Sequence, residues 1–230
     1  MTKSEARLDM KQETDLEQFD REWLEKLEHT PFARLITALG GLTRLGERPA
    51  SLERLAAIVG RPADETAALV REAFTARIEG DLIYWDEPFP GDQTRRMLYI
   101  GDREVPMRRG CAPDLFCYAV VLDVPFRAEE TCPATGAPIR VDFVPGGYER
   151  ADPPEAVTVL LPPGRLAEAT FSEVVEQVDA SVCNYQPFIA SAQAAEAMLA
   201  AHPGSRAFTV KEMFERPFVT DYRDKLRPLI

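Results

Sequence analysis

Three short segments with helical spacing of apolar residues follow one another after residue 30, each bounded by Pro, Ser or Gly, and strand-like runs come next. "PFARLITALGGL" begins at Pro31 and meets the glycine pair Gly40 and Gly41, the usual punctuation of a helix end. "SLERLAAIVG" offers Ser51 as N-cap, apolar Leu52, Leu55, Ala56 and Ile58, and a stop at Gly60, with Arg54 where a capping box would put Glu. "PADETAALVREAFTAR" predicts a third helix, and "DLIYWDE" and "RRMLYIGD" predict strands around a turn at "PFPGDQ". Three helices plus a hairpin is the winged-helix pattern, so residues 31–105 are expected to form a winged-helix-like domain.

The flanking regions differ in texture. Residues 1–30 are strongly charged, with Leu16, Phe19, Trp23, Leu24 and Leu27 on one face of a helix, and are read as a charged helical extension. Residues 106–230 interleave strands at "IRVDFVP", "AVTVLLPP" and "SVCNYQPFIAS" with helices at "RLAEATFSEVVEQV" and "AQAAEAMLAAH", and "AFTVKEMFERPF" reads as a strand running into a short helix. Strands interleaved with helices predict an α+β fold with a mixed sheet.

Composition narrows the partners. A net charge of -11 repels phosphate backbones, so no nucleic acid is expected, and Asp64, Glu65 and Glu72 make the third helix of the winged-helix-like segment a poor reader of DNA. No run approaches the roughly 20 apolar residues of a membrane span, so no membrane is expected. Four cysteines in 230 residues are too few for a disulfide framework, which predicts thiols in a reducing, cytoplasmic setting.

Most chemistries lack their residues. The two histidines, His29 and His202, sit in the charged arm and at a helix end, which disfavours a Ser/His/Asp triad or a histidine-rich zinc site. There is no glycine-rich phosphate loop and no CxxC. What remains is sulfur beside carboxylate in "RRGCAPDLFCY". If the chain is helical from Pro113 onward, Cys111 lies near the helix start and Asp114 in its first turn, facing one pocket. The helix dipole and the neighbouring Arg108 and Arg109 would both favour a thiolate. With Cys183 on a strand that could cross nearby, two thiolates would suit a thiophilic metal such as Cu(I) or Hg(II). Burial of the same cysteines as core residues is the competing reading. Cys117, six residues after Cys111, should point away from it and pack in the core.

The order "GCAPDLFCYAVVLDVPF", "CPATGAPIRVDFVPGG", "AVTVLLPP" and "SVCNYQPFIAS" resembles the alkylmercury (organomercurial) lyases from about Arg108 to Phe214, and "ERPASLERLAAIVGRPADETAALVREAF" resembles that family's N-terminal domain. The resemblance implies an alkylmercury-lyase-like catalytic domain over residues 106–230. It makes Cys111 and Cys183 the catalytic cysteines, Asp114 the catalytic carboxylate, and Cys132 a structural cysteine. It further implies protonolysis of an organomercury substrate to a hydrocarbon and Hg(II). The product metal would be held by Cys111, Cys183 and Asp114 and passed to small thiols or a mercuric reductase, with no cofactor. Two alternatives stand beside it: a lyase-like relative recruited to another thiophilic substrate or a biosynthetic step, and a winged-helix, metal-responsive DNA-binding regulator.

Overall fold

A computed structural model describes residues 32–74, 76–85, 96–107, 111–160, 186–203, 205–216 and 219–220. The extension at residues 1–30 and the helix expected at "RLAEATFSEVVEQV" lie outside the described residues. Helix α1 (Phe32–Arg44) turns Leu35, Ala38, Leu39 and Leu42 into the core. It runs straight through Gly40 and Gly41, where the sequence pattern places its end. The reason is packing. A Cβ at position 41 would sit 2.7 Å from Leu122 Cδ1 and 3.0 Å from Tyr118 Cδ1, both borne on helix α4 (Ala112–Val121) or its C-cap. Gly41 therefore sets a close helix–helix approach, and the stop falls at Gly46, whose φ of 86° admits the left-handed turn that ends the helix.

Helix α2 (Leu52–Val59) forms as expected, with the Ser51 hydroxyl accepting from the Arg54 N–H at 3.1 Å and Gly60 closing it in the αL conformation. Helix α3 (Ala63–Ala73) is shorter than its sequence pattern. Ala76 and Arg77, the end of that pattern, belong instead to strand β2 (Ala76–Glu79), since a tight turn at Gly80 (φ 58°) lets it pair with strand β3 (Leu82–Trp85). With β1 (Ala50–Ser51) these make an antiparallel sheet in the order β1-β3-β2.

The expected hairpin between "DLIYWDE" and "RRMLYIGD" is not what forms. Strand β4 (Arg96–Ile100) folds back through Gly101 onto β5 (Arg103–Met107) and pairs on its other edge with β6 (Phe126–Thr131). Strands β7 (Pro138–Val144) and β8 (Gly147–Asp152) complete an antiparallel five-stranded sheet in the order β5-β4-β6-β7-β8. A third sheet places β9 (Val157–Leu160) between β10 (Phe188–Ile189) and β11 (Arg206–Thr209), with helices α5 (Ala192–Ala201) and α6 (Val210–Glu215) against it. The architecture is α+β, as the interleaved pattern predicts, but the expected mixed sheet does not form: every strand pairing among the described residues is antiparallel, because the strands are joined by tight turns or return edge to edge. No helix among the described residues is long and apolar enough to cross a membrane.

Helix α4 lies at the centre, against α1, α6, β7, β8 and β9. Its Phe116 is fully buried among Phe143, Phe188 and Phe214, with ring centroids 5.5, 6.2 and 4.7 Å away. Beside this apolar cluster lies a buried ion pair. Arg96 on β4 donates to Glu130 Oε2 on β6 at 2.5 Å, while Oε1 accepts the Phe188 N–H of β10 at 2.8 Å. The pair thus ties the five-stranded sheet to the edge of the three-stranded one.

Two substitutions test this packing. Gly41→Val drives a side chain into Leu122 and Tyr118, and chemical denaturation should show a loss of about 1–3 kcal/mol. Glu130→Ala takes a carboxylate away from the buried Arg96 guanidinium and orphans the Phe188 amide, for a loss of about 3–5 kcal/mol by the same measurement.

Candidate active site

The start of α4 brings a thiol and a carboxylate together for a local reason. A helix leaves its first amides without intrahelical partners, and here the helix is buried, so each needs another acceptor. Cys111 is the N-cap in extended conformation, and its N–H donates to Asp114 Oδ2 at 2.9 Å. The Asp114 N–H turns back on Cys111, 3.2 Å from its carbonyl oxygen and facing its thiol, which makes a capping box with cysteine where serine or threonine commonly stands. The Ala112 N–H donates to the Gln186 carbonyl at 2.7 Å, and Pro113 has no N–H to satisfy. Cys111 is 3% exposed, whereas a quarter of the Asp114 side chain meets solvent. The carboxylate therefore reaches solvent where the thiol does not.

A cation completes this cluster. Arg44, from the last turn of α1, places Nη1 3.3 Å from Asp114 Oδ2 and also donates to the Tyr118 hydroxyl, one helical turn beyond Asp114. Both donors to the Asp114 carboxylate act on Oδ2. The first turn of α4 thus carries a buried thiol and an oriented carboxylate with a guanidinium beside it.

Of the three sequence-predicted catalytic residues, Cys111 and Asp114 come together; Cys183 lies outside the described residues, as do Arg108 and Arg109. The chain just after Cys183 is pinned at alternate residues. The Gln186 carbonyl accepts from Ala112, the Phe188 N–H donates to Glu130, and the Ala190 N–H donates to Cys132 Sγ at 3.4 Å. Gln186 is buried, and among the described residues neither of its side-chain amide atoms has a hydrogen-bond partner. Cys117 is buried on the body of α4, in keeping with a packing role.

Cys132 begins the turn between β6 and β7, where its N–H donates to Ala137 and its carbonyl accepts from Gly136. Burial pushes its thiol up. Hydrogen bonds from the Thr135 side chain and from the Ala190, Ala134 and Thr135 backbone outweigh that and leave it below the ordinary thiol value. A separate cavity of about 540 Å³ opens beside Arg96, Glu130, Ile139 and Arg140, and its lining includes neither Cys111 nor Asp114.

Arg44, Tyr118 and Gln186 are site residues that sequence reasoning missed. Arg44 is 70 positions from its carboxylate partner and belongs to no local motif, so only the fold reveals it. The unusual signal was Gly41, which reads as a helix stop but marks the docking that delivers Arg44.

The alkylmercury lyase family model matches residues 104–216, the stretch that holds α4, the β6–β7 turn, β10 and β11. Alkylmercury lyases of Bacillus cereus and Clostridium butyricum are each 22% identical to this chain over 181 residues, covering 74% of it and 73% of their own length. The crystal structure of the mercury-bound form of MerB2 shares the fold, with a TM-score of 0.54 and 15% identity over 90% of this chain and 98% of that one.

If Cys132 fastens the β6–β7 turn to β10, Cys132→Ala should orphan the Ala190 amide and cost about 1–3 kcal/mol in a denaturation experiment. Cys132→Ser keeps an acceptor and should lose less.

Proposed function

We propose that this chain, whose residues 104–216 match the alkylmercury lyase family model, cleaves the carbon–mercury bond of organomercury compounds by protonolysis. The observation that supports this best is the capping box that sets the Cys111 thiol at the Asp114 amide and the Asp114 carboxylate at the Cys111 amide, both on the first turn of α4. Soft mercury prefers thiolate to oxygen or nitrogen, so R–Hg⁺ is captured first by sulfur. As the Hg–S bond forms, Cys111 releases its proton to Asp114. Cys183 then joins the metal as a second thiolate, losing its proton to solvent. Electron density rises on the metal-bound carbon, Asp114 returns the proton to that carbon, and the C–Hg electron pair becomes the new C–H bond. The products are R–H and Hg(II) on Cys111 and Cys183, with Asp114 beside it.

Chain connectivity supports the role of Cys183. Gln186 follows it by three positions, a span of at most about 11 Å, and the Gln186 carbonyl bonds to the amide that directly follows Cys111. Metal transfer to small thiols or a mercuric reductase exchanges one sulfur for another and avoids free Hg(II). Such chemistry suits a reducing cytoplasm, where both cysteines stay reduced. Mercury enters as substrate and leaves as product, and the scheme uses no organic cofactor.

The unit α1-β1-α2-α3-β2-β3 has the element order of a winged helix, and we read it as a wall of the thiol site. Helix α3 opens on Asp64 and Glu65, which would repel a DNA backbone, and Arg44 reaches from this unit to Asp114.

The test is direct. Purified protein with phenylmercury and excess small thiol should release benzene, measured by gas chromatography, and should bind one mercury per chain. Cys111→Ala and Cys183→Ala should reduce turnover to that of the thiol alone. Asp114→Ala should lower it by about 100-fold or more. Full turnover in any one of them would remove that residue from the scheme.

A further inference from the structure

We propose that Arg44 is a positioning residue for proton transfer, holding Oδ2 of Asp114 so that the proton is carried on Oδ1; this rests on the lyase reading above. An ionised carboxylate has two oxygens that compete for donors and for a proton. In this site the donors are gathered on one of them. The Cys111 N–H reaches Oδ2 at 2.9 Å from the helix start, and Arg44 Nη1 reaches the same oxygen at 3.3 Å from α1. Oδ1 accepts no hydrogen bond from the described residues. An oxygen that already accepts from an amide and a guanidinium has less density to offer a proton, so the thiol proton goes to Oδ1 and leaves from it.

Arg44 is itself held in place. Its Nη1 also donates to the Tyr118 hydroxyl, and Tyr118 follows Asp114 by one helical turn on the same face of α4. Two acceptors a turn apart on α4 thus fix a guanidinium supplied by α1. Gly41 sets how closely α1 approaches, since a Cβ there would strike Leu122 and Tyr118. Arg44 comes three residues later, on the same side of α1. The Arg44 side chain is 16% exposed, so its bond to the carboxylate is largely shielded from competing water. Without it the carboxylate keeps the Cys111 donor alone and can rotate between its two oxygens, and the reacting carbon meets a correctly placed proton less often.

The experiment compares the full chain with Arg44→Met and Arg44→Lys in benzene release from phenylmercury with excess thiol. Thermal midpoint and mercury stoichiometry are measured alongside. Arg44→Met is expected to lower kcat by about 10- to 100-fold, the size of loss that slight misplacement of a reacting group produces, while KM changes by less than about threefold. Arg44→Lys keeps a cation without the planar fork and should recover part of that loss. Mercury should still bind at one per chain in both variants. If Arg44→Met does not fold, Arg44→Gln is read in the same way. Wild-type kcat in the neutral variant, a change confined to KM, or a lysine variant as slow as the neutral one would each overturn the role of Arg44. A wild-type chain that binds mercury but releases no benzene would instead overturn the lyase reading, and this proposal with it.

Discussion

A helix buried along most of its length must satisfy its first amides without water, and the start of α4 does so with few residues. The Cys111 amide goes to the Asp114 carboxylate, the Ala112 amide to the Gln186 carbonyl, and Pro113 contributes no donor. The groups that close the helix are also those proposed to do chemistry. Such economy explains why a cysteine occupies an N-cap position ordinarily filled by serine or threonine. It also constrains the carboxylate, because Asp114 cannot turn away from Cys111 without giving up its bond to a buried amide.

The remaining architecture keeps this helix start in register with the segment that follows Cys183. Glu130 and Cys132, two residues apart on β6 and the turn after it, take the Phe188 and Ala190 amides, while Gln186 turns its carbonyl to α4. Residues two apart in an extended segment present equivalent groups to one side, so a single strand edge is fastened at three successive points. Arg96 neutralises Glu130 within the same buried layer, and Phe116 fills the apolar space between the helix and both sheets.

Local signals were readable from residues alone, and contacts between distant segments were not. Ser51 and Gly60 bound α2 as expected because capping depends on a few neighbouring atoms. The helix across "APDLFCY", the strands at "IRVDFVP" and "AVTVLLPP", and the strand-to-helix run at "AFTVKEMFERPF" were legible for the same reason. The Gly40–Gly41 pair was misleading, since a glycine that ends a helix and one that admits a neighbouring helix look identical in one dimension. Likewise β4 carries no mark of its partner, and only the fold pairs it with β6 across about 30 residues. Within the site, Cys111 and Asp114 stood out through spacing and resemblance, while Arg44 and Gln186 became visible only when α1 and β10 were laid against α4.

Gly41 has one more consequence, for exchanging parts between related proteins. The position with no side chain determines how deeply α1 seats on α4, and the charge three residues later follows that seating. A chimera that takes residues 32–85 from a relative must match the bulk at positions 41, 118 and 122 together, or its borrowed arginine arrives out of reach of the carboxylate. Compatibility between the two halves is therefore decided by a fit in volume, in advance of any matching of charge.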